Sequence, residues 1–343
     1  MSERLEDIAE AMVASGQGIL AADESTGTIK KRFDQIDTEN TEDNRRDYRE
    51  MLFRADAAMK DHISGVILFD ETLRQKAADG TPFVEMIRKA GAVPGIKVDK
   101  GAKPLAGFPG ETVTEGLDGL RERLAEYHEL GARFAKWRGV IDINEEDGLP
   151  SSTCIQANAH ALARYAALCQ EAGIVPIVEP EVLMDGPSAS HDIETCYEVT
   201  EWTLNTVFAE LFQMDVLLEG MILKPNMIVP GKNASFQASA EEVAELTVRC
   251  LKATVPAAVP GIAFLSGGQS DVQASEHLHL MNASGNLPWT LTFSYGRALQ
   301  QSALKAWGGK GDNVPAAQAA FLHRAKMNGL AARGAWSKDL EQA

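Results

Sequence analysis

The sequence predicts a single (β/α)8 barrel, because eight short apolar runs alternate along it with longer segments of helical periodicity. Strands that alternate with helices indicate a parallel sheet. The chain has 343 residues, which suits one closed eight-stranded barrel, and no Gly/Ser-rich linker or change of composition divides it. We therefore predict one α/β domain over residues 1–330, including an N-terminal helix, and a flexible tail over 331–343. A doubly wound open sheet is the alternative fold, and it is disfavoured because no G-x-G-x-x-G motif follows the first strand.

The predicted strands are short apolar runs, most of which end in polar or small residues. They are GILAAD (18–23), GVILFD (65–70), VPGIKVD (93–99), RFAKWRGVI (133–141), IVPIVEPE (174–181), LEGMILKP (218–225), GIAFLSG (261–267) and WTLTFSYG (289–296). The clearest helical segments between them are 116–131, 157–173, 192–213 and 239–254. In such a barrel the carboxyl ends of the strands meet at one face, where catalytic residues gather.

Composition excludes several classes of protein. Apolar residues make up 45% and charged residues 24%, as in a folded globular enzyme. The formal net charge of -16 argues against unspecific binding of nucleic acid or of acidic membranes. The acidic N-terminal helix lacks the pattern of a signal peptide, no apolar run approaches the roughly 20 residues that span a bilayer, and the four cysteines are dispersed. We predict a cytosolic protein with no nucleic-acid or membrane partner.

Charged side chains are concentrated at the predicted strand ends. The acids are Asp23, Glu24, Asp99, Glu179 and Glu181, and the cations are Lys97, Lys136, Arg138 and Lys224. Because side chains alternate along a strand, Glu179 shares a face with Glu181, and Lys136 shares one with Arg138. Solvated strand ends or a core of structural salt bridges are the alternatives. A functional cluster is favoured, because burying so many charges for stability alone is costly.

The lysines indicate a specific chemistry. Lys224 ends an apolar run, and Pro225 confines it to an extended conformation that aims the side chain. Burial and a neighbouring ammonium both lower the pKa of a lysine. A free amine can form a Schiff base with a carbonyl, and nearby carboxylates can move protons. These lysines and carboxylates therefore predict an enzyme that makes or breaks a carbon–carbon bond beside a carbonyl.

Two loops are predicted to bind phosphate. Ser266-Gly267-Gly268 ends the seventh strand and Ser294-Tyr-Gly296-Arg297 ends the eighth, where barrels often bind phosphate through backbone N–H groups and arginine. A second cluster, Ser25 to Thr28 with Lys30-Lys31-Arg32, holds a second phosphate or is a solvent-facing helical turn. No metal is predicted, because the histidines of His277-x-His279 do not share a helix face.

Seven sequence blocks resemble class I fructose-1,6-bisphosphate aldolase of the glycolytic type. They are ILAADEST (19–26), GIKVDKG (95–101), FAKWRGV (134–140), VPIVEPE (175–181), LLEGMILKPNM (217–227), FLSGGQS (264–270) and FSYGRALQ (293–300), which follow one another from the first predicted strand to the eighth. The resemblance implies a (β/α)8 barrel that reversibly cleaves fructose 1,6-bisphosphate to dihydroxyacetone phosphate and glyceraldehyde 3-phosphate. It implies no metal or organic cofactor, sugar phosphates as ligands, and a homo-oligomer, usually a tetramer.

The resemblance also implies residue roles. Lys224 matches the Schiff-base lysine and Glu179 the acid–base glutamate, surrounded by Asp23, Lys136 and Glu181. The ketose phosphate is matched to Ser266, Gly267, Gly268, Ser294 and Arg297, with Gly296 beside them. The remaining substrate contacts, including the distal phosphate, are matched to Ser25, Arg32, Lys97 and Arg138, with Thr28 where many relatives have serine.

Some alternatives remain open at this point. The relatives from vertebrates end in a tyrosine that is linked to proton exchange on the enamine, but no tyrosine follows Tyr295 here. Which group protonates the enamine is therefore left open by the resemblance. A transaldolase-like Schiff-base barrel and a phosphosugar-binding protein without activity are the alternative functions.

Overall fold

The computed structural model describes residues 3–186 and 188–342. Eight parallel strands close into a barrel in the order β1-β10-β9-β8-β7-β6-β3-β2, which confirms the predicted fold. The strands are β1 (Gly18–Ala22), β2 (Ile63–Leu68), β3 (Val93–Lys97), β4 (Ala102–Pro104), β5 (Thr112–Thr114), β6 (Phe134–Ile141), β7 (Val175–Val182), β8 (Ile222–Leu223), β9 (Gly261–Phe264) and β10 (Thr290–Tyr295). The order of the barrel follows the chain once the β4–β5 hairpin is set aside.

The helices surround the barrel. They are α1 (Leu5–Met12), α2 (Thr26–Phe33), α3 (Glu42–Phe53), α4 (Asp56–His62), α5 (Asp70–Arg74), α6 (Phe83–Lys89), α7 (Leu120–Glu129), α8 (Ser152–Glu171), α9 (Ile193–Gln213), α10 (Ala240–Thr254), α11 (Asp271–Ala283), α12 (Arg297–Trp307) and α13 (Val314–Ala332). Short 3₁₀ helices cover Asp34–Ile36, Leu218–Gly220, Gly311–Asn313 and Lys338–Gln342. None of the helices in the described ranges is long and apolar enough to cross a membrane.

Two elements differ from the sequence predictions. The strand predicted over 218–225 is reduced to Ile222–Leu223, because Leu218–Gly220 forms a 3₁₀ turn. The Gln170 side chain fixes this turn by donating hydrogen bonds to the carbonyl oxygens of Leu217 and Gly220. The antiparallel pair of β4 and β5 was not predicted at all, since strands of three residues carry almost no periodic signal.

The lower end of the barrel interior, towards the strand N-termini, is filled with apolar side chains. Phe134 and Ile177 pack there with residues of β1, β2, β8 and β9, and all are buried. Phe134 is accommodated because residue 95 is glycine, where a Cβ atom would overlap the aromatic ring. Helix α1 covers this end with Ile8 and Met12, which belong to the same apolar cluster. The upper half of the interior is thereby left for polar groups.

The chain after α13 packs back onto the protein. Helix α13 extends to Ala332, two residues beyond the predicted domain boundary at 330. Trp336 is buried, and its indole N–H donates to Glu341 at 2.8 Å. Glu341 also bonds Arg324 of α13. The flexibility of residues 331–343 stays a prediction.

Candidate active site

The predicted residues line one cavity of about 410 Å³ at the carboxyl ends of the barrel strands. The cavity includes Asp23, Ser25, Thr28, Arg32, Lys97, Lys136, Arg138, Glu179, Glu181, Lys224, Ser266, Gly267, Ser294, Gly296 and Arg297. Gly268 is the exception, because it lines a neighbouring pocket behind the loop. A wider cleft of about 1040 Å³ lies at the opposite end beside α1, but none of the predicted residues faces it.

The centre of the cavity is a chain of alternating charges. Lys136 Nζ lies 2.8 Å from Asp23 Oδ2 and 3.2 Å from Glu179 Oε2. Lys224 Nζ lies 3.0 Å from the other oxygen of the same glutamate, Oε1. Both lysines and Glu179 are buried. The alternation of side chains along β6 and β7 therefore brings these groups together, as the sequence predicted.

These contacts set the charges of the cluster. Burial disfavours the Asp23 carboxylate, but attraction to Lys136 and Lys224 outweighs it and lowers the pKa of Asp23 to about 2. Burial likewise opposes the charged form of Lys136, yet Asp23 and Glu179 together raise the pKa of Lys136. The pKa of Glu179 is lowered, because its lysine neighbours and Arg138 overcome the cost of burial. At neutral pH the cavity holds a permanently charged Lys136 between two carboxylates.

Backbone hydrogen bonds on both sides fix the position of Lys224. Its N–H donates to the carbonyl of Val178 at 2.8 Å and so continues the ladder of β7 and β8. The carbonyl of Pro225 accepts the N–H of Leu265 at 3.1 Å. The next residue, Asn226, accepts the N–H of Val182 at 3.0 Å. A lysine held by both neighbouring strands presents its amine to the cavity with little freedom to move.

Two further ion pairs line the walls of the cavity. Arg138 Nε donates to the buried carboxylate of Glu181. Lys97 Nζ lies 2.8 Å from Asp99 Oδ1 and also donates to the carbonyl of Asp99. Arg138 keeps 40% of its side chain exposed and Lys97 keeps 20%, so both cations still reach the solvent of the cavity.

One end of the cavity is built from the loops after β9 and β10. Gly267 has φ of +53°, a conformation that favours glycine, and a Cβ atom there would displace the end of the Met184 side chain. The guanidinium of Arg297 donates to the carbonyl of Gly267 and, at 3.0 Å, to Asp185. Ser294 Oγ is buried with no hydrogen-bond partner among the described residues. These groups offer donors to an anion.

The other end is formed by the start of α2. Ser25 caps this helix, its Oγ accepting the N–H of Thr28 at 3.4 Å. Arg32 lines the cavity, and burial lowers its pKa. Lys30 instead forms an exposed pair with Asp34. The cluster 30–32 thus divides, with Lys30 facing solvent and Arg32 facing the cavity.

Sequence reasoning gave no individual role to several residues of this region. Glu24 and Asp99, which it counted among the charged strand ends, line the cavity. Asp185, the partner of Arg297, lies in the loop after β7 and carries no local signal. His277 and His279, which were predicted not to share a helix face, have different neighbours: His277 Nδ1 contacts Gln269, and the ring of His279 lies 5.9 Å from that of Trp336. The absence of a cofactor stays a prediction.

Comparison with known proteins identifies the family. The family model for fructose-bisphosphate aldolase class-I matches residues 4–343. A protein from Xanthomonas campestris pv. campestris named probable fructose-bisphosphate aldolase class 1 is 62% identical over 335 residues, which are 97% of this chain and 98% of that one. Fructose-bisphosphate aldolase 4, cytosolic, of Arabidopsis thaliana is 56% identical over 95% of this chain and 82% of its own length.

A solved structure agrees. It is a ternary co-crystal structure of fructose-bisphosphate aldolase from Plasmodium falciparum in complex with TRAP and a small molecule inhibitor. The TM-score is 0.93 at 50% sequence identity, and the match covers 97% of this chain and 95% of that chain. The resemblance drawn from the sequence is confirmed, and the transaldolase-like and non-enzymatic alternatives give way. This chain belongs to the class I fructose-bisphosphate aldolase family.

Proposed function

We propose that Lys224 forms the Schiff base through which this aldolase cleaves fructose 1,6-bisphosphate. The observation that carries the assignment is the contact of a buried lysine with a buried glutamate, Lys224 Nζ to Glu179 Oε1 at 3.0 Å. Transfer of one proton from the lysine to the glutamate gives a neutral amine beside a neutral acid. That pair is what carbonyl addition and dehydration require.

The first stage forms a covalent iminium ion. The lone pair of Lys224 Nζ attacks the C2 carbonyl carbon, and one proton passes from that nitrogen to the carbonyl oxygen to give a neutral carbinolamine. Glu179 then donates its proton to the carbinolamine hydroxyl, which leaves as water while the C=N bond forms. The positive nitrogen that results is an electron sink next to C3.

The second stage breaks the C3–C4 bond. Glu179, again a carboxylate, accepts the C4-hydroxyl proton, and the electron pair of the bond moves into the iminium to form an enamine. Glyceraldehyde 3-phosphate leaves as the aldehyde. Protonation of the enamine at C3 and hydrolysis of the imine then release dihydroxyacetone phosphate and regenerate Lys224.

Charged neighbours support both stages. Lys136 is the permanent cation of the cluster, and its ammonium holds Glu179 at 3.2 Å. Asp23 holds Lys136 at 2.8 Å. Glu181 holds Arg138 at the wall of the cavity. We assign these side chains to charge balance and orientation around the reacting carbons.

The two ends of the cavity match a substrate with two phosphates. We assign the ketose phosphate to the loops after β9 and β10, with Ser266, Gly267, Gly268, Ser294, Gly296 and Arg297. We assign the distal phosphate and adjoining hydroxyls to Ser25, Thr28, Arg32, Lys97 and Arg138. Donors at both ends of one cavity favour a bisphosphate over a sugar with one phosphate.

We propose that Glu179 also returns a proton to the enamine. Glu179 carries the proton taken from the C4 hydroxyl, and among the described residues it is the carboxylate within 4 Å of Lys224 Nζ. Its Oε2 atom lies 3.2 Å from Lys136 Nζ, and within the described part of the chain it has no hydrogen-bond partner besides that ion pair.

Borohydride trapping tests the covalent assignment. Reduction in the presence of fructose 1,6-bisphosphate is expected to inactivate the enzyme and to leave the mass of the reduced triose phosphate adduct on the peptide containing Lys224. Omission of substrate is the control, and it should leave the peptide unmodified. Loss of activity with EDTA, together with no trapped adduct, would contradict Schiff-base chemistry.

We also propose a cytosolic homo-oligomer. The Arabidopsis relatives are named cytosolic, which supports the location. Trp202 and Phe212 of α9 and Leu217 expose 42%, 83% and 40% of their surface, an apolar set that a second copy can cover. Light scattering should give a mass above the 37.1 kDa of one chain, and Phe212→Glu should lower it.

A further inference from the structure

A buried ion pair lies behind the distal-phosphate end of the cavity. Arg49 Nη2 of α3 lies 2.7 Å from Glu24 Oε2, and the two side chains expose only 4% and 9% of their surface. Glu24 lines the cavity beside Ser25, whereas Arg49 does not. The Glu24 carboxylate thus faces the cavity, and the Arg49 guanidinium contacts it from the side that points away from the cavity.

The pair is held by a network that joins α3 to α12 and β1. Gln300 of α12 donates to Glu24 Oε1 at 3.2 Å and to the carbonyl of Ala21 at 2.7 Å. Its own oxygen accepts the hydroxyl of Tyr48 at 3.0 Å, and the Arg49 guanidinium lies 5.6 Å from the Tyr48 ring centroid. Arg49 Nη1 has no hydrogen-bond partner within the described ranges. Arg49 therefore has Glu24 as its one charged partner there.

The negative charge of Glu24 opposes the binding of a phosphate nearby. A carboxylate at the wall of an anion site repels a phosphate dianion unless a cation neutralises it. Arg32, which we assign to the distal phosphate, lies within reach of the charges of Glu24, Arg49 and Arg297. Without Arg49, the negative charge of Glu24 would be uncompensated. It would then attract Arg32 and repel the phosphate that Arg32 binds.

We propose that Arg49 is a positioning residue that sets the preference for bisphosphorylated over monophosphorylated ketoses, by neutralising Glu24 behind the distal-phosphate site. This inference rests on the proposed binding of the distal phosphate by Ser25, Thr28 and Arg32. Fructose 1-phosphate lacks that phosphate, so its cleavage does not depend on the charge of Glu24. The ratio of kcat/KM for the bisphosphate to kcat/KM for fructose 1-phosphate therefore reports the effect.

The experiment compares three variants by this ratio. Arg49→Met removes the cation and keeps an apolar stem, and it is expected to lower the ratio about tenfold through a higher KM for the bisphosphate. Glu24→Gln removes the anion and is expected to raise the ratio. The double variant Arg49→Met/Glu24→Gln restores neutrality and should return the ratio close to that of the wild type. Arg45→Met is the matched control, because Arg45 lies on the same helix as Arg49 but pairs with Glu71 of α5, and neither residue lines the cavity.

Each outcome bears on the proposal. An equal fall of kcat/KM for both substrates in Arg49→Met would show a merely structural role and overturn it. So would a ratio that stays low in the double variant. If Arg49→Met does not fold, Glu24→Gln decides alone, since a fall in its ratio contradicts the charge argument. Arg32→Met distinguishes failure of this inference from failure of the distal-phosphate assignment. If Arg32→Met lowers the ratio and Arg49→Met does not, only the role of Arg49 fails. If neither lowers it, the distal-phosphate assignment fails as well.

Discussion

Replacing Lys136 with methionine should destabilise the protein in a pH-dependent way. Lys136 is buried and shared between Asp23 at 2.8 Å and Glu179 at 3.2 Å. Methionine fills a similar volume but leaves two buried carboxylates without their common cation. Breaking a buried pair by removing one partner typically costs about 3–5 kcal/mol. The same change should abolish measurable cleavage, since the cation that holds Glu179 is lost.

The pKa of Asp23 gives the pH dependence. It falls from an ordinary value of 3.8 to about 2 in the protein, and each unit corresponds to about 1.4 kcal/mol. Folding therefore stabilises the carboxylate by about 2.5 kcal/mol at pH 7. Because the unfolded chain takes up the proton first, this contribution is lost as the pH falls through 3.8 towards 2. By pH 3 about 1 kcal/mol of it is gone.

Urea denaturation at pH 7 and pH 3 measures the effect. We expect Lys136→Met to lower the free energy of unfolding by about 3 kcal/mol at pH 7 and by about 1 kcal/mol less at pH 3. Lys30→Met is the control, because Lys30 and Asp34 form an exposed pair worth at most about 0.5 kcal/mol. A loss that is the same at both pH values, or no loss at pH 7, would refute the electrostatic account.

Three further outcomes are expected. Lys224→Met should lower cleavage by several powers of ten while binding of the bisphosphate, measured by calorimetry, persists, and substantial turnover would refute the covalent route. Gly267→Ala should raise the KM for the bisphosphate, because φ is +53° and the new Cβ atom overlaps Met184. Gly80→Ala, at φ of +86° in open space, should cost about 1 kcal/mol in stability and leave KM unchanged. Burial lowers the pKa of His277 to about 4, so the unfolded chain is protonated first and stability should fall from pH 6.5 to pH 4. The variant His277→Gln should flatten that fall in urea titrations.

The fold and the centre of the site were predictable because both follow from short-range patterns. Apolar runs give the barrel strands, and strand alternation gives the shared direction of Lys136 and Glu179 towards the interior. Lys224 was recognisable as an ammonium in an apolar run. The converging ends of parallel strands then place these residues in one cavity without any further information.

What could not be predicted depends on tertiary contacts. Arg46 and Arg49 stand three residues apart in the same charged helix, yet Arg46 binds the exposed acids Asp43 and Asp47 while Arg49 is buried against Glu24. No local signal separates the two arginines. The 3₁₀ turn at 218–220 likewise depends on a side chain from α8, which lies far away in the sequence.

The apolar side chains beneath the candidate active site also bear on the order in which substrates bind and products leave. Helix α1 and the ring of Phe134 seal the lower end of the barrel, so everything must pass through the upper mouth. In the proposed mechanism, the released aldehyde and the hydrolytic water share this one route to Lys224. We therefore expect glyceraldehyde 3-phosphate to depart before the imine is hydrolysed and, in synthesis, dihydroxyacetone phosphate to bind first. A barrel closed at one end thus favours an ordered reaction.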